Sequence, residues 1–197
     1  MTERVLEVRV GSGLDNLRFG MDEPQVRAEL ISYGDVVDAT APGGSLALRT
    51  QGLDDSFSIC AAFKSDGALF TLEVWRPEDV NLIDVKLYDI PLFATPVERV
   101  LARISELGHR IDFDDRWHPV LPEASIGLDR EGGDDCDDDG FARHFQSIFI
   151  APCGYYFFRR PGLDSTANGS LSDSAPLVIA TRGCRISFDG YVDDYPR

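Results

Sequence analysis

Lysine is almost missing from this chain: of its 19 basic residues only Lys64 and Lys86 are lysine. The arginines that make up the rest are outnumbered by 34 acids, and that balance disfavours binding to bare nucleic acid or to an anionic membrane, because phosphates would be repelled. Histidine is also scarce, and His109, His118 and His144 show no HxH, HxxxH or HExxH spacing, so no metal site is encoded locally. The four cysteines, Cys60, Cys136, Cys153 and Cys184, form neither a CxxC pair nor a zinc-ligand cluster. Long apolar runs are lacking too, which excludes a membrane-spanning helix. Met1-Thr2-Glu3-Arg4 leads straight into strand-like sequence without an apolar signal core, which points to the cytoplasm.

What the chain has in excess is carboxylate. Its 197 residues carry 34 acidic side chains and a formal net charge of -15, and 43% hydrophobic content suffices for one compact domain spanning 1–197. The charge is uneven. Residues 112–139 hold 11 acids against Arg116 and Arg130, a net of -9, while residues 1–111 sum to -7 and residues 140–197 to +1. A field of that sign attracts basic partners.

Alternating apolar and polar residues from Val5 to Val10 predict a half-buried strand, broken by Gly11-Ser12-Gly13. Asp22 is a good N-cap and Pro24 suits a first turn; Val26, Leu30 and Tyr33 then recur at helical spacing until Gly34, predicting a helix near Glu23 to Ser32. Strands follow at Ser45 to Thr50, Ser56 to Lys64 and Ala68 to Arg76, the last two joined by a tight turn at Asp66-Gly67. Thr95-Pro96-Val97-Glu98 has the form of a capping box, and Val97, Val100, Leu101, Ile104 and Leu107 make the apolar face of a helix over Pro96 to Leu107. Further strands are expected near His109 to Phe113, Ala124 to Arg130, Phe145 to Ala151 and Tyr155 to Arg160, with a last pair within 177–188 after a polar loop. Displacing the first helix by 74 residues sets Phe19 on Phe93, Val26 on Val100, Leu30 on Ile104 and Gly34 on Gly108, which suggests internal repeats over 5–76 and 85–160. The expected fold class is α+β: antiparallel sheet with two helices on one face, built from two helix-plus-meander repeats, parallel pairing being improbable.

Leu17-Arg18-Phe19-Gly20-Met21-Asp22, followed by Val26 and Leu30, resembles the helix opening of the small modules in β-lactamase-inhibitor proteins and in the small lipoprotein of the outer-membrane assembly machine. It also resembles the opening of bacterial proteins of the immunity type. The resemblance implies a tandem two-module plan and a non-enzymatic binding protein. It transfers no functional residue, and this chain departs from the inhibitors in lacking an export signal and their cysteine spacing.

Candidate chemistry is sparse. Asp135-Cys136-Asp137-Asp138-Asp139-Gly140 sets oxygens at the first, third and fifth positions and glycine at the sixth, as a calcium loop does, so Asp135, Asp137 and Asp139 are the metal candidates. Gln146 stands where that loop needs a bidentate Glu, and a solvated acidic loop or a contact surface for a basic partner explains the run as well. Ser12 and Cys153 lack the context of a nucleophile, Cys60 reads as a small buried hydrophobe, and Tyr155-Tyr156-Phe157-Phe158 reads as core rather than as a base-stacking strand. No cofactor is implied. The leading reading is a non-enzymatic acidic binding protein, an immunity-type inhibitor of a basic toxin or nuclease, with Asp112, Asp114, Asp115, Asp135, Asp137, Asp138 and Asp139 as contacts and Trp117 as an exposed aromatic anchor. Its rivals are an enzyme with a site assembled from His118, His144 and Glu123, and a calcium-stabilised structural domain.

Overall fold

A computed structural model describes residues 4–41, 43–52, 56–113, 115–133 and 135–156. The strand pair expected within 177–188, and the part of the Tyr155 to Arg160 strand beyond Tyr156, lie outside the described residues. Among the described residues the architecture is α+β, with two sheets of mostly antiparallel strands and two short α-helices.

Strands β1 (Arg4–Arg9), β2 (Gly13–Leu14) and β3 (Leu17–Arg18) lead to helix α1 (Glu23–Leu30), which a single 3-10 turn extends over Ile31–Tyr33. A meander follows: β4 (Asp35–Thr40), β5 (Leu46–Gln51), β6 (Ser58–Phe63) and β7 (Leu69–Trp75). The second half runs β8 (Ile83–Leu87), β9 (Ile90–Pro91), α2 (Val97–Glu106), β10 (Val120–Leu121), β11 (Ile126–Asp129) and β12 (Ser147–Ile150). One sheet has the order β3-β2-β1-β8-β9 and the other β10-β11-β12-β7-β6-β5-β4. The two meanders meet where β12 pairs antiparallel with β7, Ser147 opposite Trp75 and Ile150 opposite Leu72.

One hydrophobic core runs through both halves. Alternation sends Ile59, Ala61, Leu72, Val74, Ile126, Leu128, Ile148 and Ile150 of the large sheet into it, together with Leu6, Val8, Ile83 and Val85 of the small one. Val26 and Leu30 of α1 and Val97, Val100 and Ile104 of α2 join the same core.

Several expectations are corrected. Parallel pairing occurs: β1 lies parallel to β8, Leu6 beside Val85. A parallel neighbour requires a long crossover, and the first meander and its helix supply one. The two-residue turn from β8 to β9 places Tyr88 at φ 53 and Asp89 at φ 61, the mirror-image hairpin geometry that Asn-Gly announces and Tyr-Asp conceals. The capping box sits on the other helix. At α1 the Asp22 side chain accepts from the Gln25 N–H at 3.0 Å while Gln25 Oε1 accepts from the Asp22 N–H at 3.1 Å. At α2 the N-cap is Pro96 with no side-chain cap, and the Val97 N–H donates instead to the Arg143 carbonyl at 2.9 Å. The stretch His109 to Phe113 is not a strand; Asp112 alone forms an isolated bridge, with Val120. Tyr155 and Tyr156 lie in a turn. Among the described residues no helix is long and apolar enough to cross a membrane.

Two substitutions test this packing in chemical denaturation. Ile104 is fully buried, so Ile104→Ala is expected to cost about 2–5 kcal/mol, whereas Leu107→Ala, at a position 53% exposed, should change stability by less than about 0.5 kcal/mol. Gly34 ends the first helix at φ 137 with the Gln51 carbonyl oxygen where a side chain would begin, so Gly34→Ala should destabilise through both strain and overlap.

Candidate functional site

The acidic segment is folded rather than slack. Asp112 and Val120 exchange both backbone hydrogen bonds, at 2.8 and 3.0 Å, which closes the chain between them into a loop. The end of that loop then runs along β11: Leu128 N–H donates to the Pro119 carbonyl at 2.9 Å and Arg130 N–H to the Trp117 carbonyl at 3.0 Å. This pairing carries His118 to the side of Asp129.

Three carboxylates gather on His118. Its Nδ1 lies 2.9 Å from Asp115 Oδ2, and the other oxygen of Asp115 accepts the Trp117 N–H at 2.9 Å, so the ring is oriented from a fixed support. Its Nε2 faces Asp129 Oδ1 at 3.4 Å and Glu131 Oε2 at 3.7 Å. Asp129 in turn accepts the Glu131 N–H at 2.8 Å. Burial pulls the Asp115 carboxyl upward, but the bonds from His118 and Trp117 outweigh it and hold it below the ordinary carboxylate range. Asp129 is raised, because withdrawal from water outweighs the Glu131 N–H and the nearby imidazole. Among the described residues, His118, Asp129 and Glu131 are the group whose ligand atoms lie close enough to share a metal ion, within 4.8 Å of one another.

A second knot holds the loop that follows. Arg130 is 8% exposed and donates from Nη2 to Asp137 Oδ2 at 3.1 Å and to the Ala142 carbonyl at 3.0 Å. Asp137 Oδ1 accepts the N–H groups of Asp139 at 3.1 Å and Phe141 at 2.8 Å. Phe141 is packed against Trp117, with ring centroids 4.3 Å apart, and both Arg116 and Arg130 place their guanidinium groups 4.8 Å from its centroid. Burial works to raise the Asp137 carboxyl, yet the two N–H groups and Arg130 bring it below the ordinary value.

The sequence-predicted residues thus divide. Asp135, Asp138 and Asp139 are exposed, as is Glu131, which was not among them; Asp112, Asp115 and Asp137 are half-buried and engaged within the fold; Asp114 lies outside the described residues. Trp117 is half-buried against Phe141, while Phe113, which sequence reasoning passed over, stands 51% exposed. Within the calcium-like loop, Asp135 meets Arg143 at 3.1 Å and Asp137 serves the turn itself, while the Gln146 amide donates to the His144 carbonyl at 2.8 Å. Of the residues His118, His144 and Glu123, His118 meets Asp115, Asp129 and Glu131, His144 Nδ1 is 3.8 Å from Asp135, too far for a hydrogen bond, and Glu123 lies near Tyr88. Burial, reinforced by Arg76, lowers the His144 pKa.

Sequence reasoning also missed Glu73, on the sheet side facing away from the main core. Its Oε1 takes a hydrogen bond from Ser147 Oγ at 3.4 Å, and withdrawal from water, with Asp129 nearby, pushes its carboxyl up to about 7. Cys60 shares that side of the sheet and is buried, which pushes its thiol up to about 12 and leaves it inert. The signal for Glu73 was a lone acid within an otherwise apolar strand. No protein-family model, curated protein or solved structure matches the chain.

Glu73 gives a pH prediction with a definite sign. The folded state holds a proton that the unfolded chain releases near the ordinary value of 4.5, so this contribution is full below that value and lost as pH rises through about 7. Glu73→Gln, which cannot ionise, should therefore gain stability relative to the parent between about pH 5 and about pH 8, by up to roughly 3 kcal/mol. Urea melts across that range check it; a difference independent of pH would refute the raised carboxyl.

Proposed function

We propose that this chain is an acidic, non-enzymatic binding protein that docks a basic protein through residues 112–139, in the manner of an immunity-type inhibitor of a basic toxin or nuclease. The observation that carries the reading is a concentration of exposed carboxylates, Glu131, Asp135, Asp138 and Asp139, on a segment whose backbone the Asp137–Arg130 knot already fixes. Ordering a mobile loop at an interface costs free energy, and a loop fixed beforehand avoids that cost. Nuclease sites are positive because their substrate is a polyanion, so an acidic inhibitor gains fast association by electrostatic steering. Phe113, beside the bridge at Asp112, is the exposed apolar anchor of this surface, and Trp117, packed on Phe141, is a half-buried aromatic of the same segment.

The same reading takes the order of elements as two copies of one module. The order strand, short strand or strands, helix and meander from β1 to β7 and from β8 to β12 supports that reading, although the first half carries two short strands and four meander strands where the second carries one and three. That is the tandem plan implied by the resemblance of the Leu17 to Asp22 opening to inhibitor modules.

The test neutralises charge and spares the knot. Asp135→Asn, Asp138→Asn and Asp139→Asn together should leave the thermal transition nearly unchanged, since exposed carboxylates contribute little to folding. Used as baits beside the parent chain, they should lose basic proteins that the parent retains at low salt and releases at high salt. Asp137→Asn is the contrasting variant: it gives up the Arg130 pair and should lower the transition. Retention of the same partners by the triple variant, indifferent to ionic strength, would place the contact surface elsewhere.

A further inference from the structure

We propose that His118, Asp129 and Glu131 form a binding site for a divalent transition-metal cation of the Zn2+ class, with Asp115 as the residue that positions the imidazole. The site stands independently of the docking surface above.

Geometry is the first argument. Asp115, itself held by the Trp117 N–H, lies 2.9 Å from His118 Nδ1, so a neutral imidazole that carries its hydrogen there turns the Nε2 lone pair toward two carboxylates. A lone pair facing two anions is repelled unless a cation lies between them. The spacings of 3.4 and 3.7 Å from Nε2 exceed those of a tight charge-assisted hydrogen bond, about 2.7–2.9 Å. They match the edge of a tetrahedron, since bonds of about 2.0–2.2 Å to nitrogen and oxygen place neighbouring ligand atoms roughly 3.4 Å apart. Glu131, with its side chain 58% exposed, is free to close on the ion, whereas His118 and Asp129 are about one-fifth exposed and fixed by the pairing of the loop with β11.

Chemistry is the second. A carboxylate that orients a metal-ligating histidine through its other ring nitrogen fixes the tautomer and raises the basicity of the ligand. One imidazole with two carboxylates is a mixed nitrogen and oxygen set, which favours Zn2+ over Ca2+ or Mg2+, the cations of all-oxygen sites. The residues come from three places in the chain, His118 before β10, Asp129 at the end of β11 and Glu131 beyond it, so no local spacing motif announces them.

The test titrates Zn2+, and separately Ca2+, into the full chain by calorimetry, with thermal melts in parallel. One equivalent of Zn2+ should bind and raise the transition, since a ligand of the folded state adds stability, and Ca2+ should do neither. Glu131→Gln, at an exposed position that leaves folding intact, should weaken Zn2+ by at least about tenfold, and Asp115→Asn by about 10–100-fold through loss of ring orientation. Cys136→Ser, and the triple variant at Asp135, Asp138 and Asp139, should retain the affinity of the parent. Absence of Zn2+ binding, or binding indifferent to Glu131→Gln but abolished by Cys136→Ser, would overturn the proposal and leave His118 and its carboxylates a structural role in docking the loop on β11.

Discussion

The antiparallel pairing of β7 with β12 is the contact on which the rest of the molecule depends. It joins a meander of four strands to one of three and so makes a single sheet of seven. The inward side chains of both meanders then fall on one face, where two helices and a second sheet can cover them in one core. Neither half could bury its apolar face alone to the same extent, because a sheet of three or four short strands exposes too much surface for the area it covers. The same register sets the outer face: with Ser147 opposite both Trp75 and Asp129, the chain brings Ser147 to Glu73 and sets Asp129 at the margin where His118 arrives.

Charge is managed differently at the two ends of that row. Glu73 is withdrawn from water without a cationic partner strong enough to keep it ionised, so it holds a proton near neutrality. In the acidic segment the half-buried anions are engaged within the fold, Asp137 by Arg130 and Asp115 by its contacts with His118 and the Trp117 N–H, while Asp138 and Asp139 are exposed. A net of -9 over 28 residues would otherwise expand the segment by self-repulsion. Phe141, held between Trp117 and two guanidinium groups, is the apolar weight that keeps it compact.

What the sequence discloses and what it hides follow from the range of the interactions involved. The helix at Val97–Glu106 is plain because its apolar period is local, and the Asp66-Gly67 hairpin because its turn chemistry is. Strand β4 (Asp35–Thr40) is hidden because it is an edge strand with mixed polarity on both faces, and β8 because the turn after it relies on Tyr88 and Asp89 at positive φ. The parallel pairing of β1 with β8 spans every element from β2 to β7 and leaves no local mark. The acid run 135–139 was visible as charge, yet the role of Asp137 was not, since it is defined by Arg130 and by a turn that only the folded chain makes. The grouping of His118 with Asp129 and Glu131 depends on the loop docking along β11, a contact no spacing rule encodes.

Both functional proposals assume that the acidic segment is an ordered surface in solution. Backbone hydrogen exchange reads that assumption directly at the N–H groups of Arg130, Phe141 and Arg143, which donate to Trp117, Asp137 and Asp135 at 3.0, 2.8 and 2.8 Å. The account predicts that all three exchange much more slowly than an unstructured chain of the same sequence, and that Asp137→Asn speeds Phe141 most. Exchange at the unstructured rate throughout residues 130–143, with the core strands still protected, would show a loose acidic loop and contradict it.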